Sequence, residues 1–276
     1  MTVAELANKT DSAPAAVVGE PRWSVIIPYF NEADFIATPI GCALAQRGTS
    51  LRLILVDNRS DDGSEARAGA VLAGHPEFDV VYMREDTPGQ NHALAAGAAA
   101  VTTPFVAFWD ADTYYPPHYL AEAERLLAGG KAVVAQGIDV YAQPLSPAGW
   151  LRRLRMRLTQ LLLSRQGHTG SYGQCFRAEA LAAAGGPLHP GWPFVLYDHE
   201  LMHRMFKQGC GTGSMALWCL PSPRRSANAH VRWSLLERVL YHATPFAAKD
   251  WFFYGFLAGR FERRRMVQEN LRQRDW

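Results

Sequence analysis

The chain has 276 residues, of which 48% are hydrophobic and 20% are charged, and its formal net charge is +2. This length suits one large domain or two small ones, and the composition is that of a folded globular protein rather than a disordered chain. No apolar run approaches the ~20 residues that cross a bilayer, and residues 1–20 lack the features of a signal peptide. We therefore expect a cytoplasmic protein with a flexible tail at residues 1–21.

Charge is distributed unevenly along the chain. Residues 1–150 carry 9 basic and 18 acidic side chains, whereas residues 151–276 carry 19 and 8. An acidic half suits the binding of a divalent metal, and a basic half suits a phosphate-bearing substrate or an anionic membrane. The alternative is a pair of solvated faces of opposite sign without a function.

Short apolar runs alternate with helical patterns in the first half of the chain. The runs lie at residues 24–28, 51–57, 78–83 and 105–110, and the helical patterns at residues 39–46, 63–73 and 91–100. This alternation predicts βαβ units and an α/β fold with a mainly parallel sheet flanked by helices. Ligands bind beyond the carboxyl ends of such strands, so the polar residues that follow the runs are candidate ligands.

The second half of the chain is less regular. Residues 131–137 predict one more strand, residues 195–208 a helix, and residues 233–270 two further helices interrupted near Pro245. The helical pattern at residues 149–165 places leucines on one face and arginines over much of the remainder. That helix either lies on a membrane surface or covers its own sheet.

An Asp-Ala-Asp sequence, Asp110 to Asp112, ends the apolar run at residues 105–110. With 13 aspartates in the chain such a pair arises easily by chance, and its weight comes from its position at the ligand edge of the sheet. Two neighbouring carboxylates are costly unless a hard cation such as Mg²⁺ or Mn²⁺ neutralises them. The alternative is an exposed acidic turn before a helix near Pro116.

Residues 199–203 read His-Glu-Leu-Met-His, which matches the zinc-binding pattern of metallopeptidases. That pattern places two histidines one helical turn apart and requires a third ligand downstream. The histidines that follow are His230 and His242. A zinc metallopeptidase is therefore one alternative function.

Six segments, in chain order, resemble the successive motifs of family-2 glycosyltransferases. They are VIIPYFNEADF, VDNRSDDGS, PGQNHALAAG, FVAFWDAD, GQCFRAEALAAAGG and YDHELMHRMFKQG. The resemblance implies the GT-A fold at residues 22–232, with a C-terminal helical extension at residues 233–276. It also implies inverting transfer of a hexosyl or N-acetylhexosaminyl group from a nucleotide-sugar donor. The Gln-x-x-Arg-Trp signature of processive synthases is missing, so the resemblance is to the nonprocessive members.

The resemblance implies donor-binding and metal-binding roles for particular residues. The donor-binding residues are Pro28, Tyr29, Asn31, Glu32, Asp57, Gln90, Asp110, Ala111, Arg224 and Arg225. Among them, Asp57 is expected to accept a hydrogen bond from the base, which is typically uracil. Asp112 is expected to hold Mn²⁺ or Mg²⁺ against the diphosphate, with His230 as an additional metal ligand. Arg59 stands where the family usually has glycine.

Catalytic and acceptor-binding roles fall on the last motif. Asp198 keeps the second acid of the family's Glu-Asp motif, and the resemblance implies that it is the general base. Tyr197 replaces the first acid and, with Glu200, is expected to contact the acceptor. The alternative for Asp198 is capping of a helix N-terminus.

The expected partners are a UDP-sugar donor and a hydroxyl acceptor, for which a lipid-linked molecule is one candidate, and no nucleic acid. The basic helix at residues 151–165 and the aromatic run at residues 251–254 favour peripheral contact with an anionic membrane at its cytoplasmic face. Alternatively, these helices pack on the sheet or form a homodimer interface. A noncatalytic nucleotide-sugar-binding module is the remaining alternative function.

Overall fold

The computed structural model describes residues 19–140, 146–162, 173–222 and 233–268. The sites expected at Arg224, Arg225 and His230, and most of the expected tail, lie outside these ranges. None of the helices in the described ranges combines the length and the apolar character that crossing a bilayer requires.

Strands and helices alternate in the first half of the chain, as the sequence predicts. In chain order the elements are β1 (Trp23–Tyr29), α1 (Ala37–Leu44), β2 (Leu51–Asp57), α2 (Ser64–Leu72), β3 (Val80–Arg84), α3 (Gln90–Ala99) and β4 (Phe105–Phe108). Strand β1 pairs in parallel with β2 and β4, and β2 pairs in parallel with β3. The carboxyl ends of these strands therefore share one edge of the sheet.

The second half adds shorter strands and more helices. They are β5 (Thr113–Tyr114), α4 (Tyr119–Ala128), β6 (Ala132–Ala135), β7 (Ile138–Asp139), α5 (Pro147–Leu162), β8 (Gln174–Arg177), α6 (Ala178–Ala183), α7 (Tyr197–Gln208), β9 (Cys210–Thr212), β10 (Trp218–Pro221), α8 (Leu235–Ala243), a π-helical segment (Trp251–Leu257) and α9 (Ala258–Arg263). Within the described ranges, the main sheet has the order β3-β2-β1-β4-β8-β6-β9, and a small sheet has the order β5-β10-β7. The predicted α/β architecture with a mainly parallel sheet is confirmed.

Strand β1 is buried on both faces of the main sheet, and its alternate residues enter different cores. Val25 and Ile27 pack on the face covered by α1, α2 and α4. Ile26 packs on the opposite face, which is covered by α3, α7 and the C-terminal helices. This arrangement follows from the two-residue period of a strand.

Gly97 allows helix α3 to approach β1 closely. A Cβ at this position would lie 2.5 Å from Cγ2 of Ile26, a fully buried residue, and 3.2 Å from Cγ2 of Val56. We expect Gly97→Ala to lower the free energy of unfolding by about 1–3 kcal/mol, because overpacking outweighs the better helix propensity of alanine. Urea unfolding measures the change.

Gly69 in α2 provides the matched control for that substitution. A Cβ there meets no atom within 4 Å. Gly69→Ala is therefore expected to be neutral or to stabilise the protein by up to about 1 kcal/mol. If Gly97→Ala unfolds at the same urea concentration as the wild type, the close approach of α3 to β1 is wrong.

The C-terminal helices pack into the core of the same sheet. Phe252, Phe253 and Phe261 are fully buried and belong to the cluster that contains Ile26. Glu237 is also fully buried, and its carboxylate accepts hydrogen bonds from Arg260 at 2.8 Å and Arg264 at 3.1 Å. These charged bonds tie α8 to α9. The expected domain boundary at residue 233 stays a prediction.

The aromatic run at residues 251–254 does not face the solvent as a whole, which corrects one part of the expected membrane contact. Phe252 and Phe253 are buried, and the hydroxyl of Tyr254 donates a hydrogen bond to Glu200. Trp251 is 55% exposed. The π-helical segment divides the run in this way because only part of its circumference meets the core.

Candidate active site

The loops that follow β1 and β2 are joined by reciprocal hydrogen bonds at the carboxyl edge of the sheet. The Asn31 side-chain amide donates to Asp61 Oδ1 at 2.8 Å, and the backbone N–H of Asp61 donates to Asn31 Oδ1 at 2.9 Å. The backbone N–H of Glu32 donates to Ser64 Oγ at 2.8 Å. These bonds hold the two loops as one wall of the candidate site.

Asp57, at the end of β2, is 5% exposed and lies next to this wall. Its Oδ1 accepts the backbone N–H of Ser60 at 2.9 Å, and its Oδ2 lies 3.8 Å from Nη1 of Arg84. The neighbouring Tyr29 phenol has a pKa above its usual range because of burial and the negative charge of Asp57. Tyr29 therefore stays protonated at physiological pH.

Asn58 is a structural residue of this edge that the sequence reading did not single out. Its buried amide donates to the carbonyls of Glu85 and Thr87, at 2.8 and 2.7 Å, and accepts the backbone N–H of Gly89 at 2.9 Å. The side chain fixes the loop that leads into α3. A polar amide placed directly after a buried strand was the available signal.

Arg59 has a φ of +67°, a left-handed backbone conformation that favours glycine. A left-handed conformation costs an ordinary residue about 1–2 kcal/mol, whereas glycine adopts it freely. The side chain of Arg59 is exposed.

The Asp110-Ala111-Asp112 turn is buried, with Asp110 3% and Asp112 2% exposed. The alternative of an exposed acidic turn is therefore wrong. Gln90 Nε2, at the start of α3, donates to Asp110 Oδ1 at 2.9 Å, and Thr113 Oγ1 donates to Asp112 Oδ1 at 3.3 Å. These contacts orient both carboxylates.

Tyr115 holds the backbone of the Asp110-Ala111-Asp112 turn in place. Its hydroxyl accepts the backbone N–H of Asp110 at 2.9 Å, and its ring stacks on Trp109 with 4.0 Å between centroids. Burial, reinforced by the charge of Asp110, raises the pKa of Tyr115 well above its usual range. The phenol is therefore neutral at physiological pH, and it fixes the backbone at which the strand ends.

The chemistry of this turn fits a hard divalent cation. Both side chains offer carboxylate oxygens, the ligands that Mg²⁺ and Mn²⁺ prefer, and a cation would offset the cost of burying two negative charges. Among the described residues, no three His, Cys, Asp or Glu side chains converge on one point. Phosphate oxygens and water would complete the coordination, as is usual for Mg²⁺ in phosphate-binding sites.

Asp198 lies in the first turn of α7 and faces the end of β4. It lines a narrow cavity together with Phe108, the last residue of β4, and Gln174, which pairs with Phe108 in the sheet. The N-cap residue of α7 is Leu196, so Asp198 does not have the capping position that was its alternative role. The carboxylate is partly exposed and lies at the strand edge that carries Asp110.

The two histidines of the His-Glu-Leu-Met-His segment pack against aromatic residues, and within the described part of the chain they belong to no metal-binding cluster. His203 Nε2 lies 2.8 Å from Asp250 Oδ1, and its ring stacks on Phe253. The ring of His199 contacts Trp233 and Tyr241. Burial lowers the pKa of His203 below its ordinary value despite the Asp250 bond, so the ring is neutral at pH 7.

Glu200 forms its contacts inside the protein, and its expected contact with the acceptor stays a prediction. The side chain is fully buried, and Arg204 donates to its two oxygens at 2.7 and 2.9 Å. The hydroxyl of Tyr254 also donates to this carboxylate. Arg204 also donates hydrogen bonds to the backbone carbonyls of Ala184 and Gly186. The Glu200–Arg204 pair therefore connects α7 to the loop after α6.

We expect Glu200→Gln to lower the free energy of unfolding by about 3–5 kcal/mol, because it leaves the Arg204 charge buried without its counterion. Zinc content should stay negligible in the variant and in the wild type. Glu179→Gln is the control, since Glu179 is 81% exposed and 3.9 Å from Arg177. Its cost should stay within about 1 kcal/mol. Stoichiometric zinc in the wild type, or an unchanged free energy of unfolding in Glu200→Gln, would contradict this assignment.

The structure therefore brings most of the expected site residues to the carboxyl edge of the sheet. The residues with polar groups at this edge are Asn31, Glu32, Asp57, Gln90, Asp110, Asp112 and Asp198. Pro28, Tyr29, Ala111 and Tyr197 adjoin them but have largely buried side chains, so any ligand contact by Pro28 and Ala111 would use the backbone. Contact of each residue with donor or acceptor stays a prediction.

Most of the residues at this edge lie in a region of the chain that matches a known protein family. The model of glycosyl transferase family 2 matches residues 24–182, which is more than half of the chain. The chain belongs to glycosyltransferase family 2. The match begins within β1 and ends within α6, so it contains every polar edge residue of the main sheet up to Asp112.

Curated relatives of this glycosyltransferase are similar over part of their length. The undecaprenyl-phosphate 4-deoxy-4-formamido-L-arabinose transferase of Sodalis glossinidius is 29% identical over 162 residues, covering 56% of this chain and 48% of that protein. The succinoglycan biosynthesis protein ExoO of Rhizobium meliloti is 28% identical over 130 residues, covering 47% and 36%. The matches thus span less than half of these relatives.

Solved structures show the same fold. The mannosyltransferase PcManGT of Pyrobaculum calidifontis, in complex with GDP-Man and Mn²⁺, has a TM-score of 0.62 at 22% identity, covering 93% of this chain and 75% of that chain. Glucosyl-3-phosphoglycerate synthase of Mycobacterium tuberculosis, in complex with Mn²⁺ and UDP-glucose, has a TM-score of 0.52 at 19% identity, covering 92% and 83%. The family-2 glycosyltransferase described here therefore has the expected GT-A fold.

Proposed function

We propose that this family-2 glycosyltransferase moves a sugar from a nucleoside-diphosphate donor to an acceptor hydroxyl, with a divalent cation and with inversion at the anomeric carbon. The observation that carries the proposal is the buried Asp110-Ala111-Asp112 turn at the same strand edge as Asp198. A pair of carboxylates that could bind a cation, and a partly exposed carboxylate that lines a cavity with Phe108, supply the two groups that the reaction needs.

Donor binding is assigned to the loops after β1, β2 and β3. Asp57 accepts a hydrogen bond from the base, and the wall formed by the Asn31 and Asp61 bonds shapes the nucleoside pocket. Gln90 holds Asp110 in place beside the diphosphate. When bound by Asp110 and Asp112, Mn²⁺ or Mg²⁺ supplies positive charge that stabilises the departing diphosphate.

Proton transfer is assigned to Asp198. The acceptor oxygen forms a bond to the anomeric carbon while the bond from that carbon to the diphosphate oxygen breaks, and the nucleoside diphosphate leaves with the bonding electrons. The hydroxyl proton passes to the Asp198 carboxylate. A single in-line displacement inverts the configuration at the anomeric carbon.

Two further assignments concern the nucleotide of the donor and the acceptor. We propose a UDP-sugar, because the motif VDNRSDDGS, which resembles the family's second motif, places Asp57 at the end of β2. Proteins with related folds bind GDP-Man, in PcManGT, and UDP-glucose, in the mycobacterial synthase. The lipid part of the acceptor is supported by the Sodalis relative, whose name includes undecaprenyl phosphate. The hydroxyl is proposed from the family resemblance and from Asp198, which would accept its proton. The cytoplasmic location stays a prediction.

Thermal stabilisation by a panel of nucleotide sugars, with and without Mn²⁺, tests the donor assignment. A ligand that binds the folded state raises its stability by mass action. We expect UDP and at least one UDP-sugar to raise Tm only in the presence of Mn²⁺ or Mg²⁺, and expect EDTA to abolish the shift. If no nucleotide in the panel raises Tm with either metal, the donor assignment is wrong.

A further inference from the structure

Helix α5 (Pro147–Leu162) turns its apolar residues away from the protein. Leu151 is 62%, Leu158 49% and Leu162 81% exposed, and these positions follow the i, i+7, i+11 spacing of one helix face. Trp150 and Leu161, at the sides of that face, are about half exposed as well. The sequence alternative in which these leucines cover the sheet is therefore wrong.

Polar contacts attach the opposite face of α5 to the protein. Arg152 donates to the backbone carbonyl and to Oδ2 of Asp139, both at 2.6 Å. Arg153 donates to the carbonyl of Met215 at 3.1 Å, and the buried Gln160 donates to the carbonyl of Gln136 at 3.3 Å. The helix is thus fixed through its polar side, and the arrangement is the reverse of an ordinary amphipathic helix on a soluble domain.

The exposed face also carries positive charge. Arg155 is exposed and lies on the same face as Leu151 and Leu158, and the half-buried Arg157 lies next to Trp150 and Leu161. Residues 147–162 contain four arginines and no Asp or Glu. Contiguous apolar surface of this kind marks an interaction site, and its charge selects the partner.

An anionic membrane fits this surface better than a second copy of the chain. Leucine and tryptophan side chains enter the boundary between headgroups and acyl chains, and arginines pair with lipid phosphates. An isologous dimer through α5 would place two arginine-bearing, acid-free faces against each other, and like charges at an interface are unfavourable.

We propose that α5 is a membrane-docking helix, which lies in the surface of an anionic bilayer with Leu151, Leu158 and Leu162 among the acyl chains. Membrane binding through α5 does not require sugar transfer. The position of α5 nevertheless brings the proposed site of transfer towards the membrane. Asp139, to which Arg152 is bonded, ends β7, and β7 belongs to the small sheet β5-β10-β7. Strand β5 begins directly after Asp112, and two strand spacings are roughly 10 Å. Docking through α5 therefore brings the buried aspartate turn close to the lipid surface.

Cosedimentation of the full chain with vesicles, in the absence of donor and acceptor, tests the proposal. We expect the wild type to bind vesicles of 70% phosphatidylcholine and 30% phosphatidylglycerol at 50 mM salt, at least tenfold more strongly than vesicles of phosphatidylcholine alone. At 500 mM salt the binding should fall severalfold, because charge contributes to it. The triple variant Leu151→Gln/Leu158→Gln/Leu162→Gln should lose at least tenfold in partition coefficient.

Glutamine has nearly the helix propensity of leucine, and the three side chains are exposed, so the variant should keep the wild-type Tm. Arg155→Gln/Arg157→Gln should lower binding to anionic vesicles and leave the weak binding to neutral vesicles unchanged. The matched control is Leu235→Gln/Val239→Gln in α8, where both side chains are also exposed, and it should bind within twofold of the wild type.

Three results would overturn the proposal. The first is a wild type that does not bind anionic vesicles at 50 mM salt. The second is a triple variant that binds as strongly as the wild type, or a control variant that loses as much. The third is a stable dimer that the triple variant converts to a monomer, which would assign the leucine face to a second copy of the chain. Vesicle binding requires no sugar transfer. A wild type that does not transfer sugar to a soluble acceptor would therefore contradict the proposed function and not the membrane proposal.

Discussion

Asp112→Asn is expected to lower the rate of sugar transfer at least 10³-fold and to abolish the Mn²⁺-dependent binding of a nucleotide sugar. A thousandfold change is about 4 kcal/mol of transition-state stabilisation, a magnitude that metal-ion catalysis supplies. The amide is nearly the same size as the carboxylate but carries no charge, so it cannot hold the cation against the diphosphate. Measurements of transfer rate and of Tm with Mn²⁺ and donor give both quantities.

Asp86→Asn is the control for the loss of a negative charge near the same sheet edge. Asp86 follows β3, its side chain is 80% exposed, and it contacts Arg84 at 3.2 Å. We expect its rate and donor affinity to stay within twofold of the wild type. An Asp112→Asn enzyme that retains Mn²⁺-dependent transfer would exclude Asp112 as a metal ligand.

Asp198→Asn is expected to leave donor affinity unchanged and to reduce kcat by about 10²–10⁴-fold, the usual contribution of a general base. An asparagine at this position keeps the shape of the cavity beside Phe108 and Gln174 but cannot accept the proton. Single-turnover kinetics with saturating donor separate the chemical step from binding.

Glu200→Gln separates this effect from damage to helix α7. It removes a carboxylate two residues further along the same helix, and the contacts that the structure shows for Glu200 are with Arg204 and Tyr254. At a temperature where the variant is folded, its turnover per folded molecule should stay within a fewfold of the wild type. If Asp198→Asn loses donor affinity while its turnover per bound donor is unchanged, then Asp198 is not the base.

The sequence predicted the part of the site that depends on strand order. Short apolar runs identified β1, β2 and β4, and the rule that ligands bind at carboxyl strand ends placed Asp57 and Asp110 at one edge. Local pattern was sufficient there because each residue lies at the end of a strand or within two residues of it. The parallel pairing of β1 with β2 and β4 then brings the strand ends together.

Side chains whose roles depend on distant segments could not be predicted. Glu200 was expected to face the acceptor, but its partner Tyr254 lies 54 residues away and comes from the C-terminal helices. The period of the leucines in α5 indicated one shared face, yet periodicity does not say whether that face turns inward or outward. Arg152 decides this through its bonds to Asp139, and that contact depends on the tertiary structure.

The most direct test of the central claim is the release of nucleoside diphosphate from a nucleotide sugar, with analysis of the product by NMR. The wild type is incubated with Mn²⁺, a UDP-sugar that raises its Tm and a lipid-linked hydroxyl acceptor. We expect it to release one UDP for each glycosylated acceptor, with inverted configuration at the anomeric carbon. Asp112→Asn and Asp198→Asn should release almost none. Nucleotide-sugar binding without any UDP release would contradict the account and leave the protein a binding module, and a product with retained configuration would exclude single displacement with Asp198 as the base.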